Sequence, residues 1–187
     1  MTSTPADFQR RTVLQMAAGI AASQMLSVPA KAAATKPAPT AKPGDFDFLA
    51  GEWKIRNKRL IQGAWTTFDG ESTVHRIWGG AGSIEELRIP VGSYLGMGLR
   101  LLDVEQKLWG DYWVSAKSGV VVPPAALGSF VNGVGTWDSD DTDGDKPIIV
   151  RGVWDQITPT SCRWYQATSH NDGKTFEDNW VMHWTRA

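Results

Sequence analysis

Along most of this chain apolar and polar residues alternate one by one. Trp53, Ile55, Asn57 and Arg59 take turns with Lys54, Arg56, Lys58 and Leu60, so one side of the segment is mixed and aromatic while the other is mostly basic. A period of two is the signature of a strand with one face toward a core. The same reading predicts strands over 64–68, 71–78, 85–89, 96–102, 108–116, 130–137, 147–156, 161–168 and 176–186. Asp69-Gly70, the acidic run 138–145 and His170-Asn171-Asp172-Gly173 carry turn chemistry between them. A convincing amphipathic helix is absent from this pattern, with 45–51 the single stretch that could form one. About nine or ten short strands at this spacing predict an all-β fold, a barrel or a sandwich.

The first residues are written differently. Arg10-Arg11 stands directly before a small, apolar stretch over 16–26, and Ala30-Lys31-Ala32 fits a small-x-small cleavage site. Residues 1–32 are therefore expected to be a twin-arginine signal peptide. The apolar stretch is too short for a membrane anchor. Residues 33–44, rich in Pro, Ala and Lys, read as a tail. Residues 45–187 form the domain. Cleavage after Ala32 leaves about 155 residues, enough for one real core. The expected product is periplasmic or secreted, and soluble.

Charge and cysteine narrow the picture further. Losing Arg10, Arg11, Lys31 and Asp7 takes the net charge from −1 to about −3, which gives no attraction for nucleic acid or an anionic membrane. Cys162 is the one cysteine, so no internal disulfide can form. That suits a protein folded before export. No oligomeric state is implied.

The two ends of the domain favour a closed barrel. Gly51-Glu52-Trp53 opens the first strand and Arg186 closes the last, with both strands regular and two-faced. In a meander barrel those strands pair. Trp53 is then expected to stack under Arg186, a cation–π contact of roughly 0.5–2 kcal/mol. This is how small barrels of the lipocalin type begin and end. Further text points the same way: Asp45-Phe46-Asp47-Phe48-Leu49, Asn57-Lys58-Arg59-Leu60, Gly79-Gly80-x-Gly82-Ser83-Ile84-Glu85-Glu86, Arg163-Trp164-x-Gln166-Ala167-x-Ser169, and Asp172-Gly173-x-Thr175-Phe176-Glu177-x-Asn179-Trp180-x-Met182. In this combination the chain resembles a bacterial family of lipocalin-like (calycin) domains of unknown function, over about residues 45–187. The resemblance implies an antiparallel up-and-down β-barrel of about 8–10 strands with an internal cavity. It implies no reaction.

Alternation then names the interior. It groups Trp109, Asp111 and Trp113 on one strand, Trp164, Gln166 and Thr168 on another, and Trp180, Met182 and Trp184 on the last. Ten tryptophans exceed what packing such a domain demands. Apolar walls with a few polar groups describe a small-molecule pocket. The candidate ligand-binding residues are Asn57, Arg59, Trp109, Asp111, Trp113, Gln166 and Trp180. A buried Arg59 would need a partner among Glu85, Glu86 and Asp111. The alternation does not decide which of Glu85 and Glu86 points inward.

Other chemistry is sparse. His183 lies near the C-terminus, where a related barrel could ligate haem, but it alternates against Trp180, Met182 and Trp184 and is expected outside. Otherwise no cofactor is called for. No histidines have metal spacing, and the acidic run lacks the closing glutamate of a calcium loop. Three readings stay open. The first is an exported barrel binding a small hydrophobic or aromatic molecule. The second is a cofactor-free lyase, isomerase or hydrolase, with Glu85 or Glu86 as base and Arg59 or Asn57 stabilising an oxyanion. The third is a structural envelope domain with a filled core.

Overall fold

The computed structural model describes residues 36–187; the expected signal peptide lies outside them. Ten strands form: β1 (Gly51–Ile61), β2 (Ala64–Ile77), β3 (Gly82–Ile89), β4 (Tyr94–Asp103), β5 (Leu108–Ser115), β6 (Ala126–Val131), β7 (Val134–Asp143), β8 (Lys146–Asp155), β9 (Ser161–Ser169) and β10 (Glu177–Arg186). Each pairs antiparallel with its sequence neighbours, and β1 pairs with β10, so the sheet is a closed barrel. Closure removes both sheet edges. The closing register runs from Trp53↔Arg186 to Arg59↔Trp180.

Three boundaries differ from the sequence reading. Asp69-Gly70 is not a turn; it lies inside the continuous β2, with Gly70 opposite Ile55. The hairpin is at Gln62-Gly63, where both residues take positive φ, 50° and 78°. Gly70 serves close approach instead: a Cβ there would lie 2.9 Å from Ile89 Cγ1 and 3.2 Å from Asn57 Nδ2. Residues 130–137 are two strands, because Asn132-Gly133 makes a second tight turn at φ 52° and 79°. The acidic run is mostly strand, since β7 continues through Asp143. Asp138 is buried there by a two-point ion pair with Arg151 across the sheet, at 2.7 and 2.8 Å.

One end of the barrel is plugged. The segment before β1 folds as a single 3-10 turn, Asp47–Leu49, which is all that forms of the possible helix. It pushes Phe46 into the floor, edge-on to Trp109 at 5.0 Å and Phe130 at 5.1 Å, and brings Phe48 against Trp154. Trp53, Trp109, Trp154 and Trp184 are wholly buried around them. Part of the expected tail is tied down too. Ala41 is buried and donates its N–H to Lys107 O, and Thr40 Oγ1 donates to Phe130 O.

Arg186 latches this floor. Its guanidinium sits 4.0 Å over the Trp53 ring and donates to the carbonyls of Phe48, Ala50 and Pro159. Trp53 Nε1 in turn donates to Leu49 O at 2.7 Å. The Gly in Gly-x-Trp now has a reason. Gly51 takes φ +122°, and a Cβ there would stand 2.5 Å from Arg186 Nη1. Gly51→Ala is expected to lower unfolding free energy by about 2–4 kcal/mol, combining backbone strain with the lost latch. Urea unfolding checks this, and a loss below about 0.5 kcal/mol would remove the latch from the account.

Candidate functional site

Above the floor the interior is open. A cavity of about 250 Å³ is lined by aromatic side chains, among them Tyr94, Trp113, Trp164 and Trp180, with Leu87 and Met182. Three charged groups, Glu85, Arg100 and Asp111, share the lining. Trp137, Trp154 and Trp184 close it below, where it meets the floor cluster. Tyr94 and Trp113 stack at 5.3 Å and 9° between planes, and Trp113 is 37% exposed near the mouth.

Register explains how the charges meet. Ser83, Arg100 and Asp111 pair in one row across β3, β4 and β5, and Glu85, Gly98 and Trp113 in the next. Adjacent rows on one face bring Glu85 and Arg100 together diagonally. Gly98 makes room for them: a Cβ there would lie 3.0 Å from Glu85 Oε2 and 3.1 Å from Arg100 Nη2. Gly96 likewise leaves space for the Trp113 ring. Arg100 Nη2 donates to Glu85 Oε2 at 2.5 Å, while Asp111 Oδ1 stands 3.7 Å from Arg100 Nε. The guanidinium also lies near the Phe46 and Trp154 rings, at 5.2 and 5.4 Å.

The electrostatics follow. Burial works against the Arg100 charge, but Glu85 and Asp111 outweigh it and hold the guanidinium above its ordinary value. Burial pushes the Asp111 carboxyl up from 3.8 to about 6; Arg100 pulls it back and Glu85 adds to the rise. Burial also lifts the Tyr94 phenol to about 12, with Arg59 opposing and Glu85 adding to it. Cys162 is buried, and its thiol is raised to about 12, chiefly by burial, so it behaves as a small core side chain. Arg100 Nε and Nη1, Trp154 Nε1 and Trp184 Nε1 are buried donors without a hydrogen-bond partner.

The cavity collects some of the expected residues and leaves out others. Asp111, Trp113, Gln166, Trp180 and Glu85 line it. Gln166 is held by donating Nε2 to Asn179 Oδ1. Asn57 does not reach it: wholly buried in the wall, it accepts from Trp180 Nε1 at 3.0 Å. Trp109 belongs to the floor and donates to Asp45 Oδ2. Glu86 faces outward, paired with Arg88 at 3.5 Å, so it cannot act inside. Arg59 is half-buried with its guanidinium 4.3 Å over the Trp180 ring, outside the lining. The arginine that holds the interior carboxyls is Arg100. Sequence reasoning passed over it, although Gly96, Gly98 and Arg100 share a face opposite Asp111 and Trp113.

His75, His170 and His183 are all exposed, and none of them lines the cavity. Among the described residues no three His, Cys, Asp or Glu side chains gather as metal ligands. No helix among them is long and apolar enough to cross a membrane.

No protein-family model matches the chain, and no curated protein matches it. Among solved structures it is similar to that of Rv2717c from M. tuberculosis, with 11% identity and a TM-score of 0.47 over 77% of this chain and 98% of that one. The barrel itself stands on the strand pairing of this chain.

Proposed function

We propose that this is an exported, lipocalin-like barrel that holds a small hydrophobic or aromatic molecule in its tryptophan-lined interior. One observation carries the reading: about 250 Å³ of the interior is left open, although six tryptophans line it. Well-packed cores leave few voids larger than a water molecule. A void of this size, apolar with a few convergent polar groups, is shaped for a guest. It also speaks against a barrel packed solid for a structural role. Export is supported by the twin-arginine pattern at Arg10-Arg11.

The test uses the tryptophans as reporters. Adding two-ring aromatic compounds such as 2-naphthol should produce a saturable change in emission. Native mass spectrometry of protein from its own cells should show a bound mass. Ligand-free protein whose emission no panel of aromatic or lipid compounds moves would sink the reading.

A second reading, a cofactor-free lyase, isomerase or hydrolase, is favoured by the Asp111 carboxyl. With its pKa near 6 beside the Arg100 cation, it is suited to proton transfer at neutral pH. The base in that reading is Asp111 in place of Glu85 or Glu86, since Glu85 is bound to Arg100 and Glu86 faces outward. Turnover of a bound compound would decide for it.

A further inference from the structure

The charges lining the cavity do not balance, and they differ in access. Arg100 faces two carboxyls, Glu85 from β3 and Asp111 from β5. The side chains of Arg100 and Glu85 are 6% and 4% exposed, and they are bound to each other. Asp111 is 25% exposed, accepts no hydrogen bond among the described residues, and stands 3.7 Å from the guanidinium. The charged group that an occupant meets is therefore a carboxyl, with the cation shielded behind it.

The remaining wall agrees with that sign. Aromatic faces carry negative potential and attract cations. This barrel already uses them so: Arg59 lies over Trp180, Arg186 over Trp53 and Arg163 over Tyr165. Inside the cavity, Trp164 has no such cation over it among the described residues, and it stands with Asp111 and the stacked Tyr94–Trp113 pair in the lining. A carboxylate guest would bring a third negative group to one guanidinium. A purely apolar guest would cover Asp111 and leave it desolvated with Arg100 at 3.7 Å but no hydrogen-bond donor.

Building on the binding reading above, we propose that the occupant is an organic cation: an apolar or aromatic body bearing an ammonium group that donates to the Asp111 carboxylate and lies against the tryptophan faces. The ammonium makes the cluster neutral and satisfies the one carboxyl that the fold leaves open.

Three probes of one shape test this on the full-length protein by calorimetry: 2-naphthylmethylamine, 2-naphthalenemethanol and 2-naphthoate. At pH 7.5 the amine should bind at least about tenfold tighter than the alcohol, and the carboxylate weakest. Asp111→Asn should bring amine and alcohol to within about twofold of each other. An independent measurement on the unmodified protein is the same pair at pH 5, where Asp111 gains a proton and the amine should lose its advantage. The groups that bear on this titration are Glu85 on β3 and Arg100 on β4; β6 offers only Ala126. Equal binding of amine and alcohol, or tightest binding of the carboxylate, overturns the proposal while leaving a binding barrel. If none of the three binds, the binding reading falls and this proposal with it.

Discussion

Replacing Arg100 with methionine should lower the unfolding free energy by about 3–5 kcal/mol at pH 8, among the largest single effects available in this protein. The reason is what remains behind. Glu85 is 4% exposed, and Arg100 is the side chain that its Oε2 meets at 2.5 Å. Without the guanidinium a buried carboxyl is left in the cavity wall with no partner, which is costly. The double replacement Arg100→Met with Glu85→Gln should recover most of the loss, because the stranded charge is gone. Buried ion pairs replaced whole are often close to neutral in stability, whereas broken ones are not. A urea double-mutant cycle measures this directly. The single loss should also shrink as pH falls toward 5, since protonation of Asp111 removes one of the two carboxylates that Arg100 leaves behind. If Arg100→Met costs less than about 1 kcal/mol, or if the double variant is no better than the single, the cluster is not the electrostatic centre of this interior.

What the sequence made legible was the direction in which side chains point, and what it hid was depth and diagonal contact. Period two placed Trp53, Ile55 and Asn57 inward from β1, and the structure agrees. The meeting of Trp53 with Arg186 followed from closure alone. But a strand face runs the full height of the barrel. Asn57 and Trp109 point inward and still miss the cavity, because one is sealed in the wall by Trp180 and the other by Phe46 in the floor. Arg100 escaped because the carboxylate it donates to is neither a sequence neighbour nor its directly opposed residue. Glu85 reaches it diagonally across Gly98, whose missing side chain is the space they use. Glu85 and Glu86 were hard to tell apart because Ile84 puts an apolar residue on the opposite face; in the structure Glu85, Leu87 and Ile89 are buried on one face and Glu86 is exposed on the other. Turn pairs misled for a related reason. Asp69-Gly70 and Asn132-Gly133 look alike on paper, yet only the second stands where neighbouring strands end. Gly70 is required by a close approach in three dimensions.

Asp111→Asn should make the empty protein more stable at pH 7.5, by about 1–3 kcal/mol, and leave it unchanged near pH 3.5. In the unfolded chain this carboxyl titrates at its ordinary 3.8; in the folded barrel it titrates at about 6, because burial outweighs the pull of Arg100. Between those values the folded state holds a proton that the unfolded state has released, so stability falls as pH rises through that window and stays lowered above it. The full gap corresponds to roughly 3 kcal/mol. A quarter of the side chain opens onto the cavity, where water can solvate the charge, which brings the lower end of the range into play. Asparagine keeps the shape and drops the charge, so its stability curve should be flatter between pH 4 and 6.5. Chemical denaturation across that range checks both statements. A variant less stable than the parent at pH 7.5 would mean that attraction to Arg100 wins after all. The direction of this effect bears on function. A core residue is selected to stabilise the core, whereas Asp111 keeps a destabilising charge at the edge of a cavity while Glu85 and Arg100 beside it are nearly sealed. Such trade-offs belong to sites. A bound cation that pairs with Asp111 would return the lost stability by mass action, so saturating 2-naphthylmethylamine should raise the melting temperature of the parent more than that of Asp111→Asn.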